Sequence, residues 1–405
     1  MEEIVADLLT VAQAIAIIDA LPVHPRTIRV PLADASGLRL AAAIIADRDY
    51  PPFDKSMMDG YAVRAADVAK APVDLQVIGE SPAGRAPSQP IGAGQAMTIM
   101  TGAPLPPGAD AVVPIERTAS KTFAAPGERV RVLHSASPGA SISPRGSDIS
   151  KGATVLPIGI PLGPAQLAVA SSVGAANVDV FDRPRCAVLA TGDEIVSVDQ
   201  TPPAATIRNS NNPMLVNLLT RLGCVTRDRG VARDDPAVIK DRLLDALRDD
   251  IVFVTGGMSM GQYDFVPRIL LELGADLKIT KLRIRPGKPF VLAAMPEGKY
   301  VVGLPGNPVS AFVCTLRLAA RLLRRMSGGS PEQTILNLPV SAPLSANGPR
   351  EFYQPAILIG DAVRPIPWKG SADIFTLARA DALVIRPENA PPLGAGQNVP
   401  VMLLP

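Results

Sequence analysis

The stretch IVFVTGGMSMGQYDF, residues 251–265, decides how the rest of the chain is read. Ile251, Val252, Phe253 and Val254 are an unbroken β-branched and aromatic run. Such a run marks a strand covered on both faces, as in a parallel sheet. It stops at Thr255, and Gly256 and Gly257 follow at once. Glycines in that place let the chain reverse and let a ligand come close to the main chain. Beyond them stand a third glycine, Gly261, and a carboxylate, Asp264.

The same grammar extends over residues 185–326. CAVLA runs into TGDE at 191–194, and YVVGL runs into PGNPVS at 305–310. Amphipathic segments lie between these strands. NNPMLVNLLTRLG is predicted as a helix capped by Asn212, with Pro213 in the first turn and Gly223 after the end. Asp235 with Pro236, and Asn307 with Pro308, repeat the device, the latter opening a helix through Met326. Asx followed by Pro is a good helix start. Strands alternating with helices predict a mostly parallel sheet with helices on both faces.

On either side the pattern changes. Residues 2–20 space Ile4, Leu8, Val11, Ile15 and Ile18 by three and four, which predicts an amphipathic helix. From Pro51 to Ser147, short β runs such as VDLQVIGE alternate with Gly/Pro turns, as in a small β domain. After residue 329, runs such as ALVIRP and VPVMLLP predict a C-terminal β-barrel. The expected architecture is an α/β multidomain chain. An N-terminal helical and linker domain takes 1–50 and 147–180, a β-rich domain 51–146, the α/β domain 181–328 and the barrel 329–405.

Composition narrows the function. Net charge is only +2, which gives no bulk attraction to nucleic acid or membrane. One tryptophan and 4% aromatics disfavour a base-stacking platform. Cys186, Cys224 and Cys314 lack CxxC spacing, which fits a reducing compartment better than disulfides or structural zinc. The acidic start MEEIVADLLT is not a signal peptide, and no apolar stretch reaches the roughly 18 residues of a membrane span. A cytoplasmic protein is expected. His24 and His134 are the only histidines, so a histidine triad or a HExxH zinc site has little support.

Three loops at strand ends carry chemistry, because ligands of open α/β sheets bind beyond the carboxyl ends of the strands. TGDE offers Asp193 and Glu194, and the opening stretch offers Gly256, Gly257 and Asp264. LPGNPVS offers a helix N-terminus with Ser310 in its first turn, suited to an anion. Any one of these alone reads as a tight turn with a capping acid; three together read as a site around a phosphate-bearing ligand. Together Asp193, Glu194 and Asp264 suit a hard cation, most simply Mg²⁺ bridging carboxylate and phosphate. Between Asp276 and Glu297 there is no acid but five cations: Lys278, Lys281, Arg283, Arg285 and Lys288. On a strand, Lys281, Arg283 and Arg285 share one face, as a guarded edge or as a wall for an anionic substrate. RPGKP is not a P-loop, since Leu282 and Pro289 stand where that motif needs Gly and Ser or Thr.

Eight segments then carry a resemblance. FDKSMMDGYAV, IMTGAPLPPGADAVV, RGSDI, TGDEI, NSNNPML, TGGMSMGQYDF, RPGKPF and GLPGNPVSAF occur in the order seen in molybdopterin molybdenumtransferases, related to the C-terminal domain of gephyrin. The resemblance covers nearly the whole chain. It implies an elongated homodimer of four-domain subunits and the last step of molybdenum cofactor synthesis. In that step molybdate enters adenylylated molybdopterin and AMP leaves, assisted by Mg²⁺. The molybdopterin adenylyltransferase and molybdoenzyme apoproteins become candidate partners.

By position, the resemblance puts catalytic roles on Glu194, Asp264, Asp234, Asp59, Lys281, Arg285 and Lys288, and implies Glu194 and Asp264 as ligands of the Mg²⁺. It puts substrate binding on Thr101, Asp148, Pro305, Pro308, Ser310, Arg350 and Ser371, beside Gly256 and Gly257. Asp59, Thr101 and Asp148 are expected to reach the cleft from the other subunit. The chain departs from the family's usual wording at Arg285 (usually Lys), Ser147 (Glu), Ser143 (Arg), Asn209 (Asp), and Met258 and Met260 (Val). A molybdopterin-binding scaffold or cofactor carrier with weak or no turnover, and a tungstate-inserting variant, share the same motifs.

Overall fold

The computed structural model describes residues 8–87, 89–258 and 265–405. The strand Ile251–Thr255 is buried at every residue. It pairs in parallel with Arg185–Thr191 on one side and Tyr300–Leu304 on the other. The full sheet runs Val225–Ala232, Arg185–Thr191, Ile251–Thr255, Tyr300–Leu304, Val291–Ala294, Asp276–Ile279. Only Val291–Ala294 opposes the other strands.

Side chains alternate between the two faces, as strand geometry requires. Cys186, Val188, Phe253 and Val302 pack with Leu215 and Leu219 of helix Asn211–Arg221. Ala187, Leu189, Val252, Val254 and Val301 pack with Ile239 and Leu243 of helix Pro236–Ala246 and with Ile269 and Leu270 of helix Val266–Glu272. Each fully buried Val, Leu, Ile or Phe contributes about 1.5–3 kcal/mol. The helices therefore cover both faces, as the continuous apolar strands predicted.

The caps hold in part. The Asp235 side chain accepts from the N–H groups of Ala237 and Val238. Asn212 is not a cap. The helix opens at Asn211, the Asn209 side-chain Oδ1 accepts from the Asn212 N–H, and Asn212 itself is fully buried. Asn307 occupies the cap position but donates to the Ser371 hydroxyl, 3.0 Å away, across a domain boundary. The last helix is interrupted by a π segment, Thr315–Ala319, between Pro308–Cys314 and Ala320–Met326.

The expected helix over 2–20 is shorter: Val11–Ala20, started by a capping box of Thr10 and Gln13. Ile4 lies outside the described residues. This helix does not belong to a helical N-terminal domain. Val11, Ala14 and Ile18 join the core of the α/β domain, and Arg321 pairs with Asp19. What remains of the N-terminal region is mainly β: Thr27–Pro31, Asn177–Phe181 and Arg39–Leu40 form one small sheet, and Ile44–Ile45 pairs with Thr154–Leu156. Helix Pro164–Ser172 closes that core over Leu40, Leu162 and Val180. Inserted within this region is a five-stranded sheet, in the order 111–114, 60–63, 95–99, 73–81, 129–132.

The tail contributes Leu336–Pro339, Glu351–Ile359, Ala362–Pro365, Ala382–Arg386 and Asn398–Leu403 to one sheet, with a bridge from Val340 to Val363. Its sixth strand, Ile284–Arg285, comes from the α/β half of the chain and pairs in parallel with Glu351–Phe352. The cationic segment is thus a strand over only two residues. Alternation persists beyond it, since Leu282 and Ile284 are fully buried while Arg285 is exposed. No helix among the described residues is long and apolar enough to cross a membrane.

Candidate functional site

The parallel strands end side by side, with Thr191 opposite Ala232, Ala190 opposite Thr255, and Thr255 opposite Leu304. Gly256 has φ +89° and Gly257 +61°. A Cβ at Gly256 would stand 2.4 Å from the Thr191 carbonyl oxygen, so both the turn and the contact require glycine. A Cβ added at Gly306 would lie 4.0 Å from the Gly256 Cα, so the two loops run close together. Asn211 ties the assembly together by donating to the Gly306 carbonyl, 2.7 Å away. Met258 fills the space over Gly303, where a Cβ would lie 2.2 Å from its sulfur, which gives the methionine a packing role at this point. Met260 and Asp264 lie outside the described residues.

Two cavities flank this junction. The first, about 990 Å³, lies beyond the strands Arg185–Thr191 and Val225–Ala232. Asp193, Asp228, Asp234 and Asp235 line it, with Arg233, Asn209 and the apolar Ile195, Val196 and Val198. A bulge places Asp228 there: Val188 faces Asp228 but Ala190 faces Val231, so Arg229 and Gly230 oppose the single residue Leu189. The Asp228 carboxylate accepts from Asn212 at 2.6 Å and from the Gly230 N–H at 2.8 Å. The Asp234 N–H donates to Asp193 at 3.2 Å. Glu194 is exposed and folds back over Gly192, whose added Cβ would lie 2.5 Å from its carboxylate.

The second cavity, about 340 Å³, lies between the α/β domain and the tail. Arg285, Lys288 and Arg350 line it, with Ser310, Ser371 and Asn307, three prolines including Pro305, and Trp368. None of the three cations pairs with a carboxylate among the described residues. A Leu282 N–H to Lys288 carbonyl bond closes the RPGK loop. Gly287, at φ +121°, presses against helix Pro308–Cys314; a Cβ there would meet the Cys314 sulfur at 2.3 Å. Ser310 is 2% exposed, and the Val309 N–H donates to the Ser371 carbonyl. Cations without partners beside hydroxyl and amide donors form a cradle for a compact oxyanion.

Comparison with known proteins gives these cavities a context. Three family models match: the MoeA N-terminal region (domain I and II) over 9–174, a probable molybdopterin binding domain over 187–325, and the MoeA C-terminal region (domain IV) over 337–404. A molybdopterin molybdenumtransferase from Nostoc sp. is 33% identical over 93% of this chain and 88% of its own. The chain belongs to the molybdopterin molybdenumtransferase family. Molybdopterin molybdenumtransferase 2 of Mycobacterium tuberculosis is 35% identical over 93% of this chain and 95% of its own. A molybdopterin biosynthesis moeA protein from Pyrococcus horikoshii superposes with a TM-score of 0.85 at 28% identity, covering 98% of this chain and all of that one.

The family's positions do not converge on one cleft within a single chain. Arg285, Lys288, Pro305, Ser310, Arg350 and Ser371 share the cationic cavity. Pro308 opens the adjoining helix, and Lys281, half-buried, lines neither cavity. Asp234 lines the acidic one. Asp59 and Thr101 sit in the inserted β unit, where the Asp59 carboxylate accepts from the Thr101 N–H at 2.6 Å and its hydroxyl at 2.7 Å. Those bonds hold Asp59 below the usual carboxylate range, the backbone one foremost. Asp148 accepts from Ser147, which in turn bonds Ser143. Among the described residues no hydrogen bond, ion pair or strand pairing joins 51–146 to 185–405.

Motif reading missed Asp228, Asn212, Asn307 and Trp368 as site residues. For Asp228 the one sequence signal is an acid two residues before a glycine inside a β run, a common mark of a bulge. Trp368 has no sequence signal; only the tail's placement brings it to the cavity.

Proposed function

We propose that this chain inserts molybdate into adenylylated molybdopterin, forming molybdenum cofactor and releasing AMP. The observation that carries the reading is the cationic cavity: Arg285, Lys288 and Arg350, without carboxylate partners among the described residues, beside Ser310 and Ser371. Molybdate is a compact, doubly charged tetrahedral oxyanion, and fixed cations with short donors complement it. The acidic cavity, nearly three times larger, accommodates the nucleotide and pterin portions, whose hydroxyl and amino donors suit Asp228 and Asp234. Gly256 and Gly257, at the junction, let a phosphate lie against main chain.

The donor set around the acidic cavity fits a hard cation: carboxylate and amide oxygens, with no imidazole or thiolate lining it. No group of three or more His, Cys, Asp or Glu side chains converges among the described residues, and Mg²⁺ needs only one or two carboxylates plus substrate phosphate. Glu194, with Asp264, would hold it. When bound, it supplies charge that polarises a phosphoryl oxygen of the leaving AMP. The tail reads as a small barrel closed by the Val340–Val363 bridge, and its face completes the cationic cavity. A homodimer is supported by the lack of any bond between the unit holding Asp59 and Thr101 and the α/β domain of the same chain among the described residues. Exposed Phe53, Met57 and Met58 precede Asp59 in the chain and offer an apolar surface for a second copy.

The test is direct. Purified protein with adenylylated molybdopterin and Mg²⁺ should release AMP only when molybdate is present. Full-rate release without molybdate would overturn the coupling, and equal formation of the cofactor with tungstate would widen the substrate.

A further inference from the structure

Arg285 stands at the wall of the cationic cavity, on the seam between the α/β domain and the tail. Arg285 and Phe352 are register partners in the parallel pair that joins the two halves of the molecule. The guanidinium carbon lies 4.7 Å from the Phe352 ring centroid. Phe352 in turn stacks on Trp368, with centroids 5.7 Å apart and planes 26° from parallel. Arg285 and Trp368 both line the cationic cavity. Among the described residues Arg285 has no carboxylate partner and no side-chain hydrogen bond. Its position is therefore set by the ring beneath it, while its donors stay available.

We propose that Phe352 and Trp368 are positioning residues that hold the Arg285 guanidinium as a fixed donor for the oxyanion; this rests on the reading of the cavity as the molybdate site. A guanidinium is planar, weakly hydrated, and carries five N–H donors at its rim. Set over an aromatic face, it is attracted by the ring and keeps that rim free. An ammonium at the end of a lysine offers a hydrated point charge without such an edge. The arginine and its two aromatic neighbours thus work as one unit, assembled from residues 285, 352 and 368 only when strand Ile284–Arg285 joins the tail sheet.

Equilibrium dialysis of radiolabelled molybdate against the full-length protein tests this. R285K and F352L should each weaken binding by roughly three- to tenfold, the range of one cation–π contact. R285K/F352L should bind no more weakly than either single variant, and F352Y should match the parent. In turnover F352L should raise KM for molybdate and leave kcat nearly unchanged. Trp368 is the only tryptophan, so molybdate should also alter the emission of the parent protein. Parent binding with F352L unaffected, or a double variant weakened by the product of the singles, overturns this inference alone. Arg285 is exposed, so R285K carries the test through its binding and emission if F352L does not fold. No molybdate binding by the parent overturns both this inference and the functional reading beneath it.

Discussion

The two cavities sit on either side of one glycine junction but are built differently. The cationic cavity is stiff: a loop closed by Leu282 and Lys288, a buried Ser310, and a tail strand sharing hydrogen bonds with the loop itself. Its charges are unopposed within the described residues. The acidic cavity is wide and lined by carboxylates already held by neighbours, Asp228 by Asn212 and Gly230, and Asp235 by its own helix. A rigid pocket with uncompensated charge selects a small ion by fit. A wide pocket with satisfied carboxylates suits a large ligand that brings its own cation.

That contrast is open to direct attack. Glu194→Gln should lower AMP release about a hundredfold or more, the effect of losing one strong electrostatic group, with molybdate binding untouched. Lys288→Ala should do the reverse, weakening molybdate binding roughly ten- to a hundredfold, as for one charge-assisted hydrogen bond, while nucleotide binding survives. Isothermal titration with each ligand separates the two. Parallel losses in both variants would merge the cavities into one site.

A smaller effect tests the stiffness. Gly287→Ala forces a Cβ against Cys314 at a left-handed backbone angle. It should destabilise the protein by about 2–4 kcal/mol, read by urea unfolding. Adding Cys314→Ala should recover part of that loss by relieving the contact, leaving the strain of φ +121°. Full recovery would show that packing alone requires the glycine.

The smallest effect concerns the inserted unit. Asp59 is held low by Thr101, first through the N–H and then the hydroxyl. Thr101→Val removes only the hydroxyl, so the Asp59 pKa should rise part of the way to its ordinary value, followed by carboxyl-carbon NMR. A carboxylate with a depressed folded pKa stabilises above its unfolded pKa and loses that contribution as pH falls through the folded value. The variant should therefore lose its share of acid-range stability at a slightly higher pH than the parent. An unmoved titration would assign the shift to the backbone donor alone.

Much of the fold was legible because its signals are local. Continuous apolar runs at 186–190, 251–255 and 300–304 mark buried strands without reference to anything distant, and Asp235–Pro236 marks a helix start by its own side chain. Errors arose where a distant partner won. Asn212 reads as a cap, but burial beside Asp228 draws its amide away from the helix end. Asn307 reads as a cap, but Ser371 takes its donor. The spacing of Val11, Ile15 and Ile18 does mark a helix face, yet the Thr10 capping box starts the helix at Val11, and that face is claimed by the α/β core.

The site divides in the same way. Sequence alone determined the chemical inventory: glycines at the strand ends, acids in TGDE and DDP, an acid-free cationic segment, and eight motifs in family order. It could do so because residue type and short spacing are written in the chain. Only the tertiary structure decided the grouping. It split one expected cleft into two cavities, set Arg285 on Phe352, itself stacked on Trp368, and left Asp59 and Thr101 without a bond to the α/β domain of their own chain among the described residues. Those outcomes depend on which strand edge the tail pairs with and which faces the helices bury. Such choices are made by contacts between residues tens to hundreds of positions apart, where no local pattern carries the information.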